Sequence, residues 1–274
     1  MSLLASQPPD LLAISKISAQ LDAPIKALIA GLEIHQQIDS TNRYLLDCAR
    51  QGARSGTVCL AEQQTAGRGR RGRTWVSPFA SNVYLSILWR FAQGYAAING
   101  LSLAMGVAVV RALHALAIKD VLLKWPNDIY YANKKLGGIL IEVTGENDGA
   151  CTAVIGLGLN VAVPDAEAGA IDQAWTDLSR ITGQAFTDRN RLVAELLNQL
   201  LAILASFETH GLSAYLAEWR RYDALKDQPA SLWLGENQLS GIVRGIDDTG
   251  LLLLESANGS LGSYASGDVS FSGR

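Results

Sequence analysis

The chain has 274 residues, 49% of them apolar, with Lys+Arg 23 against Asp+Glu 26 and a net charge of −3. That length sets a prior of about two domains; the apolar content excludes a disordered chain, and the charge excludes the broad positive field of a general nucleic-acid binder. Cys48, Cys59 and Cys151 are widely spaced with no C-x-x-C pair, which argues against a disulfide framework or a zinc site and fits a reducing cytoplasm.

The N-terminal "MSLLASQPPDLLAISK" has no basic region ahead of its short apolar run, so it does not read as a signal peptide. Asp10 is placed to cap a helix over Leu11 to Leu21, and Asp39 or Ser40 to cap one from Thr41 to a stop at Gly52. "TVCLAEQQ" reads as a buried strand, and "NVYLSILWRF" alternates as a half-buried one. A long helix follows from about Ala97 to Ala117; the apolar run Ile98 to Ile118 holds Asn99, Arg111 and His114, so it reads as a buried helix of a soluble protein with no membrane span. "VLLKW", "DIYY", "LGGILIEVTG" and "CTAVIGLGLNV" form a hairpin meander, and Asn190 to Thr209 and Leu212 to Ala224 have helical spacing. After about Asp223 come "ASLWL", "QLSGIVRGI", "GLLLLES", "GSLGSY" and "DVSFS", cut by turn signals at Gly235, Asp248 to Gly250 and Asn258 to Gly259, the texture of a small all-β barrel. The reading is an α+β chain with helices on one face of a mixed sheet: a short N-terminal helical segment over 1–30, a main domain over 31–222 and the barrel over 223–274.

Four islands carry chemistry: "DSTN" (Asp39 to Asn42), "EQQTAGRGRRGRTW" (Glu62 to Trp75), "KWPNDIYYANKKLGGIL" (Lys124 to Leu140) and "IGLGLNV" (Ile155 to Val161). In the second, Arg68, Arg70, Arg71 and Arg73 alternate with Gly67, Gly69 and Gly72, a loop able to approach an anion closely and expected to be mobile until an anion holds it. Ser40, Thr41 and Asn42 sit at a helix start, where they read either as caps or as donors to a ligand. Trp75 reads as core or as the wall of a ligand site, and Lys135 as a surface ion pair or as a cation for an anionic reactant.

Taken together and in this order, the islands resemble the biotin protein ligases, from about Ile38 through the β-rich C-terminal region. The resemblance implies a catalytic domain of the class II aminoacyl-tRNA synthetase-like, biotin/lipoate ligase superfamily followed by a small SH3-like barrel. It implies Mg·ATP-dependent activation of biotin to biotinyl-5′-AMP and transfer to a lysine of a biotin carboxyl carrier protein or domain of acetyl-CoA carboxylase or a related carboxylase. It places Ser40, Thr41 and Asn42 at the ureido ring and Gln64 as a second ureido or a carboxylate contact, with Gly67, Arg68, Arg70, Lys135, Gly138, Ile139 and Gly156 completing the biotin site. Arg70, Arg71, Arg73, Trp75, Asn127, Asp128, Lys135 and Asn160 fall to ATP and the adenylate. Lys135, Arg70 and Asp128 are the catalytic residues, with Asp128 as magnesium ligand.

Lys124 and Trp125 read as structural, and Arg71 as equally able to face solvent. No cysteine has a histidine neighbour, so none reads as a covalent nucleophile, and His35, His114 and His210 lack ligand spacing. Gly137 and Leu159 depart mildly from the family pattern. Only about 30 residues precede the main domain, roughly half of what a compact DNA-binding domain needs, so no DNA partner is expected. A homodimer is left open by the sequence. The alternatives are a lipoate or other acyl ligase of the same superfamily and a nucleic-acid binder using the Arg/Gly loop.

Overall fold

The computed structural model describes residues 11–145, 149–186 and 188–271. In chain order it has helices α1 (Ile14–Ser18) and α2 (Ala23–Leu28), strand β1 (Gly31–His35), helix α3 (Thr41–Arg50), strands β2 (Thr57–Ala61) and β3 (Val83–Phe91), and helix α4 (Leu101–Ala115). Strands β4 (Leu122–Lys124), β5 (Asp128–Tyr131), β6 (Lys134–Gly145) and β7 (Cys151–Leu159) follow, then helices α5 (Asp165–Ala168), α6 (Leu178–Thr182), α7 (Arg189–His210) and α8 (Leu216–Arg221). The chain ends in β8 (Pro229–Leu234), β9 (Asn237–Ile246), β10 (Leu252–Glu255), β11 (Leu261–Tyr264) and β12 (Asp268–Phe271).

The first sheet runs β1-β2-β3-β7-β6-β5-β4, with β1 parallel to β2 and every other pair antiparallel, so the expected meander from β4 to β7 is present. Alternation sorts its side chains. Val58, Leu60, Leu85, Ile87, Ala153 and Ile155 join the main core together with the buried sides of α4 and α7. The opposite set, Cys59, Leu88 and Val154, packs on Leu45 of α3. The long helices thus share one face as expected, while α3 covers part of the other. That second cover corrects the half-buried reading of β3, in which Val83 through Leu88 are all buried.

The N-terminal expectation is corrected too. Asp10 lies outside the described residues, Leu11 to Ala13 are not helical, and α1 begins at Ile14 with no side-chain cap. Tertiary partners take the place of the first turn: Leu12 N–H donates to Glu62 Oε1 at 2.6 Å and Ala13 N–H to Asn190 Oδ1 at 2.8 Å. The predicted Ala97–Ala117 helix resolves into a 3₁₀ turn over Gly94–Ile98 and then α4, because Gly100 takes a left-handed φ of 73° between them. Segments 94–115 and 189–210 are long and apolar enough to cross a membrane by length and composition, and both lie mostly buried in the fold.

The second sheet, antiparallel in the order β11-β10-β9-β8-β12, is the small barrel-like unit expected. Leu232, Val243, Leu252, Leu254 and Val269 continue the core of the first sheet. Leu123 of β4 is stitched to the connecting segment by Leu123 N–H to Tyr222 O at 2.7 Å and Ala224 N–H to Leu123 O at 2.9 Å.

Candidate active site

Strand pairing builds the floor of the site. Ser86, Gly156 and Leu140 form one row across β3, β7 and β6, and Tyr84, Gly158, Gly138 and Asp128 form the next, reaching β5. A Cβ on Gly156 would stand 2.2 Å from Asn42 Oδ1, and one on Gly158 2.5 Å from Trp75 Cε2. The glycines of "GLGLN" therefore leave bare backbone on which Asn42 and Trp75 lie. Beside them opens a cavity of about 370 Å³ lined by all four islands.

One end of this cavity is polar and uncharged. Ser40 both caps α3, its Oγ accepting from Arg43 N–H at 3.4 Å, and lines the cavity with Thr41 and Asn42, so capping and ligand-facing roles coincide. Gln64 Oε1 accepts from Thr41 N–H at 2.9 Å, and Gln64 Nε2 donates to Ser77 Oγ at 3.3 Å. Thr41 and Asn42 are at most 5% exposed, so their polar groups are paired within the protein or with a ligand rather than with bulk water.

The other end gathers cations. Lys135 Nζ lies 2.8 Å from Asp128 Oδ1, and Lys124 Nζ 3.8 Å from Asp128 Oδ2, with both lysines largely buried. Burial lowers the Lys124 proton affinity, while Asp128 opposes that shift. Lys124, read as structural, shares the Asp128 carboxylate with Lys135 and does not line the cavity. Arg70 Nη1 donates to Asn127 Oδ1 at 3.0 Å, and burial lowers its proton affinity as well. Asn127 Nδ2 in turn donates to Ile139 O at 2.8 Å, so the "KWPND" turn is fastened to the strand beneath it.

The arginine loop closes on itself through Gly69 N–H to Arg73 O at 2.6 Å and Trp75 N–H to Gly67 O at 2.9 Å. A Cβ on Gly67 would come within 2.6 Å of Trp75 O, which explains the first glycine. Each of the four arginines has a partner. Arg68 faces Glu142 at 3.7 Å, and Arg71 and Arg73 both reach Asp268 Oδ2 at 3.0 Å. Arg71, read as able to face solvent, is thus tied to the second sheet. The protein's own carboxylates supply anions to a loop expected to wait for a ligand.

A smaller hollow adjoins the charged end, bordered by Trp75, Lys135, Asn160, Ile171 and Trp175. Lys135 N–H donates to Ala174 O and Thr176 N–H to Lys135 O, both at 2.9 Å, so segment 174–176 is laid along β6. Asn160 Nδ2 donates to Thr176 O at 3.1 Å. Trp75 Nε1 is buried against Gly158 without a hydrogen-bond partner among the described residues.

The structure thus brings every sequence-predicted site residue to the cavity or its adjoining hollow, apart from Gly67 and Arg71, which shape and tether the loop. Sequence reasoning missed Ser86, Glu142, Trp175 and Asp268. Ser86 and Glu142 lie on the faces of β3 and β6 opposite the core positions Leu85, Ile87 and Ile139, where a polar residue reads as ordinary, and Asp268 carried no signal. Among the described residues no three His, Cys, Asp or Glu side chains gather to cage a metal ion. Asp128 offers a single carboxylate beside Lys124 and Lys135, a donor set that fits magnesium arriving on a nucleotide rather than a resident metal.

Residues 34–160 match the biotin/lipoate A/B protein ligase family, and residues 232–272 match the biotin protein ligase C-terminal domain. The chain is similar to the bifunctional ligase/repressor BirA of Salmonella typhimurium, 44% identical over 96% of this chain and 79% of the relative. It is also similar to the biotin–[acetyl-CoA-carboxylase] ligase of Mycobacterium tuberculosis, 36% identical over 82% of this chain and 83% of the relative. Among solved structures it is similar to a biotin protein ligase from Aquifex aeolicus in complex with biotin and ATP, with a TM-score of 0.76, 27% identity, and coverage of 89% of this chain and 100% of the other.

Proposed function

The chain belongs to the biotin protein ligase family, and from that premise we propose how its residues divide the work of activating biotin with ATP and passing it to a carrier lysine. The observation that carries the reading is one cavity with a neutral polar end at Thr41, Asn42 and Gln64 and a cationic end at Lys135, Arg70 and Arg73. A bicyclic urea bearing a carboxylate tail has that same polarity. The ureido ring meets the α3 end, and the carboxylate reaches Lys135. Trp75, Ile171 and Trp175 wall the adenine, and Arg70 and Arg73 meet the phosphates.

Two like-charged reactants must be brought together, and Lys135 is the cation between them. A biotin carboxylate oxygen bonds to the α-phosphorus of ATP as the bond to pyrophosphate breaks. The carrier lysine amine then bonds to the acyl carbon, AMP leaves and one proton is released. Magnesium, entering with the nucleotide, would be held by Asp128 and would neutralise triphosphate charge. The loop excludes water from the adenylate. The acceptor is the biotin carboxyl carrier subunit or domain of acetyl-CoA carboxylase or a related carboxylase. Incubation with biotin, Mg·ATP and such a carrier domain tests the reading: the carrier mass rises by one biotinyl group on one lysine. Transfer of lipoate or octanoate but not biotin overturns it.

A further inference from the structure

Behind the neutral end of the cavity six side chains form one unbroken polar chain. Gln64 Oε1 accepts from Thr41 N–H at 2.9 Å and lies 3.2 Å from Thr41 Oγ1; Ser86 Oγ lies 2.8 Å from Thr41 Oγ1 and 2.6 Å from Asn42 Oδ1. Asn42 Nδ2 donates to Leu140 O at 3.2 Å and to Glu142 Oε2 at 2.8 Å, and Glu142 Oε1 lies 3.7 Å from Arg68 Nη1. The chain therefore begins just before the arginine loop and ends inside it. Ser86 is fully buried, and Thr41 and Asn42 nearly so.

Glu142 sets the polarity of this chain, because an ionised carboxylate only accepts. Asn42 directs both amide hydrogens to acceptors, Glu142 and Leu140 O, so its oxygen must face Ser86. Ser86 has one hydroxyl hydrogen and Asn42 Oδ1 only accepts, so that hydrogen goes to Asn42 and Ser86 meets Thr41 as an acceptor. Thr41 then turns its hydroxyl hydrogen to Ser86, meets Gln64 Oε1 through its backbone N–H, and keeps a lone pair for a ligand N–H. Glu142 itself does not line the cavity. We propose that Glu142 is a positioning residue for biotin selection: acting through Asn42 and Ser86 it fixes the donor–acceptor pattern offered to the ureido ring. This rests on the reading of the cavity as the biotin site.

The test is biotin-dependent pyrophosphate release by E142A, E142Q, N42A and E142A/N42A, with biotin and with 2-iminobiotin, whose ureido carbonyl is replaced by an imine. E142A is expected to raise the KM for biotin by about tenfold or more, as leaving a buried donor unpaired does, with the KM for ATP unchanged. Its preference for biotin over 2-iminobiotin falls as the Asn42 amide becomes free to turn. E142Q keeps an acceptor for Asn42 and shows the smaller rise. E142A/N42A matches N42A alone, since Glu142 works through Asn42. Equal rises in both KM values, additive effects, or unchanged biotin KM and discrimination overturn the inference while wild-type biotin activity stands. Should E142A fail to fold, the biotin KM and discrimination of E142Q decide by the same criteria. A wild-type enzyme that releases no pyrophosphate with biotin overturns the underlying reading instead.

Discussion

Arg71 and Asp268, 197 positions apart in the chain, meet at 3.0 Å, and Arg73 reaches the same carboxylate oxygen at the same distance. One side chain of β12 thereby holds two cations of the glycine loop. The arginines are 38% and 64% exposed, so each pair is worth about 0–1 kcal/mol and is screened by salt. A tether this weak yields readily to phosphate oxygens. Asp268→Ala is expected to speed arginine-specific proteolysis between Arg68 and Arg73 in the ligand-free protein, and biotin with Mg·ATP to slow cleavage in both wild type and variant. Equal ligand-free cleavage rates would remove Asp268 as the tether.

Trp75 rests on Gly158 so closely that a methyl group there collides with its ring at 2.5 Å. Gly158→Ala must push the indole into the cavity or the adjoining hollow, at a cost of about 1–3 kcal/mol for overpacking. The expected result is at least about a tenfold fall in kcat/KM for adenylation, because the displaced ring occupies the space a ligand needs. In Trp75→Ala the collision partner is gone, so adding Gly158→Ala to it changes little further. Additive losses in the double variant would show that the glycine acts by some route other than the tryptophan.

The sequence made the site legible where chemistry and neighbours are local. "KWPND", the arginine loop and "GLGLN" each fold as short turns or strand ends, and the strands of the second sheet ended where Gly235, Gly250 and Gly259 take positive φ. It was silent where a partner comes from far along the chain. The amides of Leu12 and Ala13 find Glu62 and Asn190, so a helix that local spacing favoured does not begin there. Glu142 and Ser86 gain their roles only when β6 and β3 are set in register with β7, and Asp268 only when the second sheet docks. Strand β1 was missed because the alternation of Leu32 and Ile34 with Glu33 and His35 spans only four residues, and its place is secured by pairing with β2.

Lys135 and Lys124 share Asp128 and so form a site with one negative and two positive groups before any ligand enters. Lys135→Ala is expected to slow biotinyl-adenylate formation by about 10²–10³-fold, the scale for losing one preorganised donor to a developing charge. Lys135→Arg rescues little, since a planar fork does not reproduce a compact ammonium in that space. Asp128→Asn should instead raise the magnesium concentration needed for half-maximal pyrophosphate release. A Lys135→Ala enzyme with wild-type pyrophosphate release, or an Asp128→Asn enzyme with unchanged magnesium dependence, would remove that residue from its role.

Asp223 stands where the two sheets are joined, bridged in parallel to Leu123, and its Oδ2 is buried without a hydrogen-bond partner among the described residues. Burial raises its pKa to about 6, against the opposing pull of the Leu225 and Lys226 backbone N–H groups. Lys226 also lowers it and Asp227 raises it. In the unfolded chain the same carboxyl titrates near about 3.9. The folded state therefore holds the proton more tightly, and the stability this confers is fully present below about pH 4 and lost as pH rises through about 6. A shift of about two pKa units corresponds to roughly 2–3 kcal/mol across that window, an upper figure because part of the residue reaches solvent. Asp223→Asn removes the titration. Its unfolding free energy, measured in urea from pH 4 to 7, should gain on the wild type steadily over that range, with the gap closing again at pH 4. A constant difference between the two proteins at every pH would mean that Asp223 stays ionised in the folded state throughout and that its burial is offset by partners other than Leu225 and Lys226.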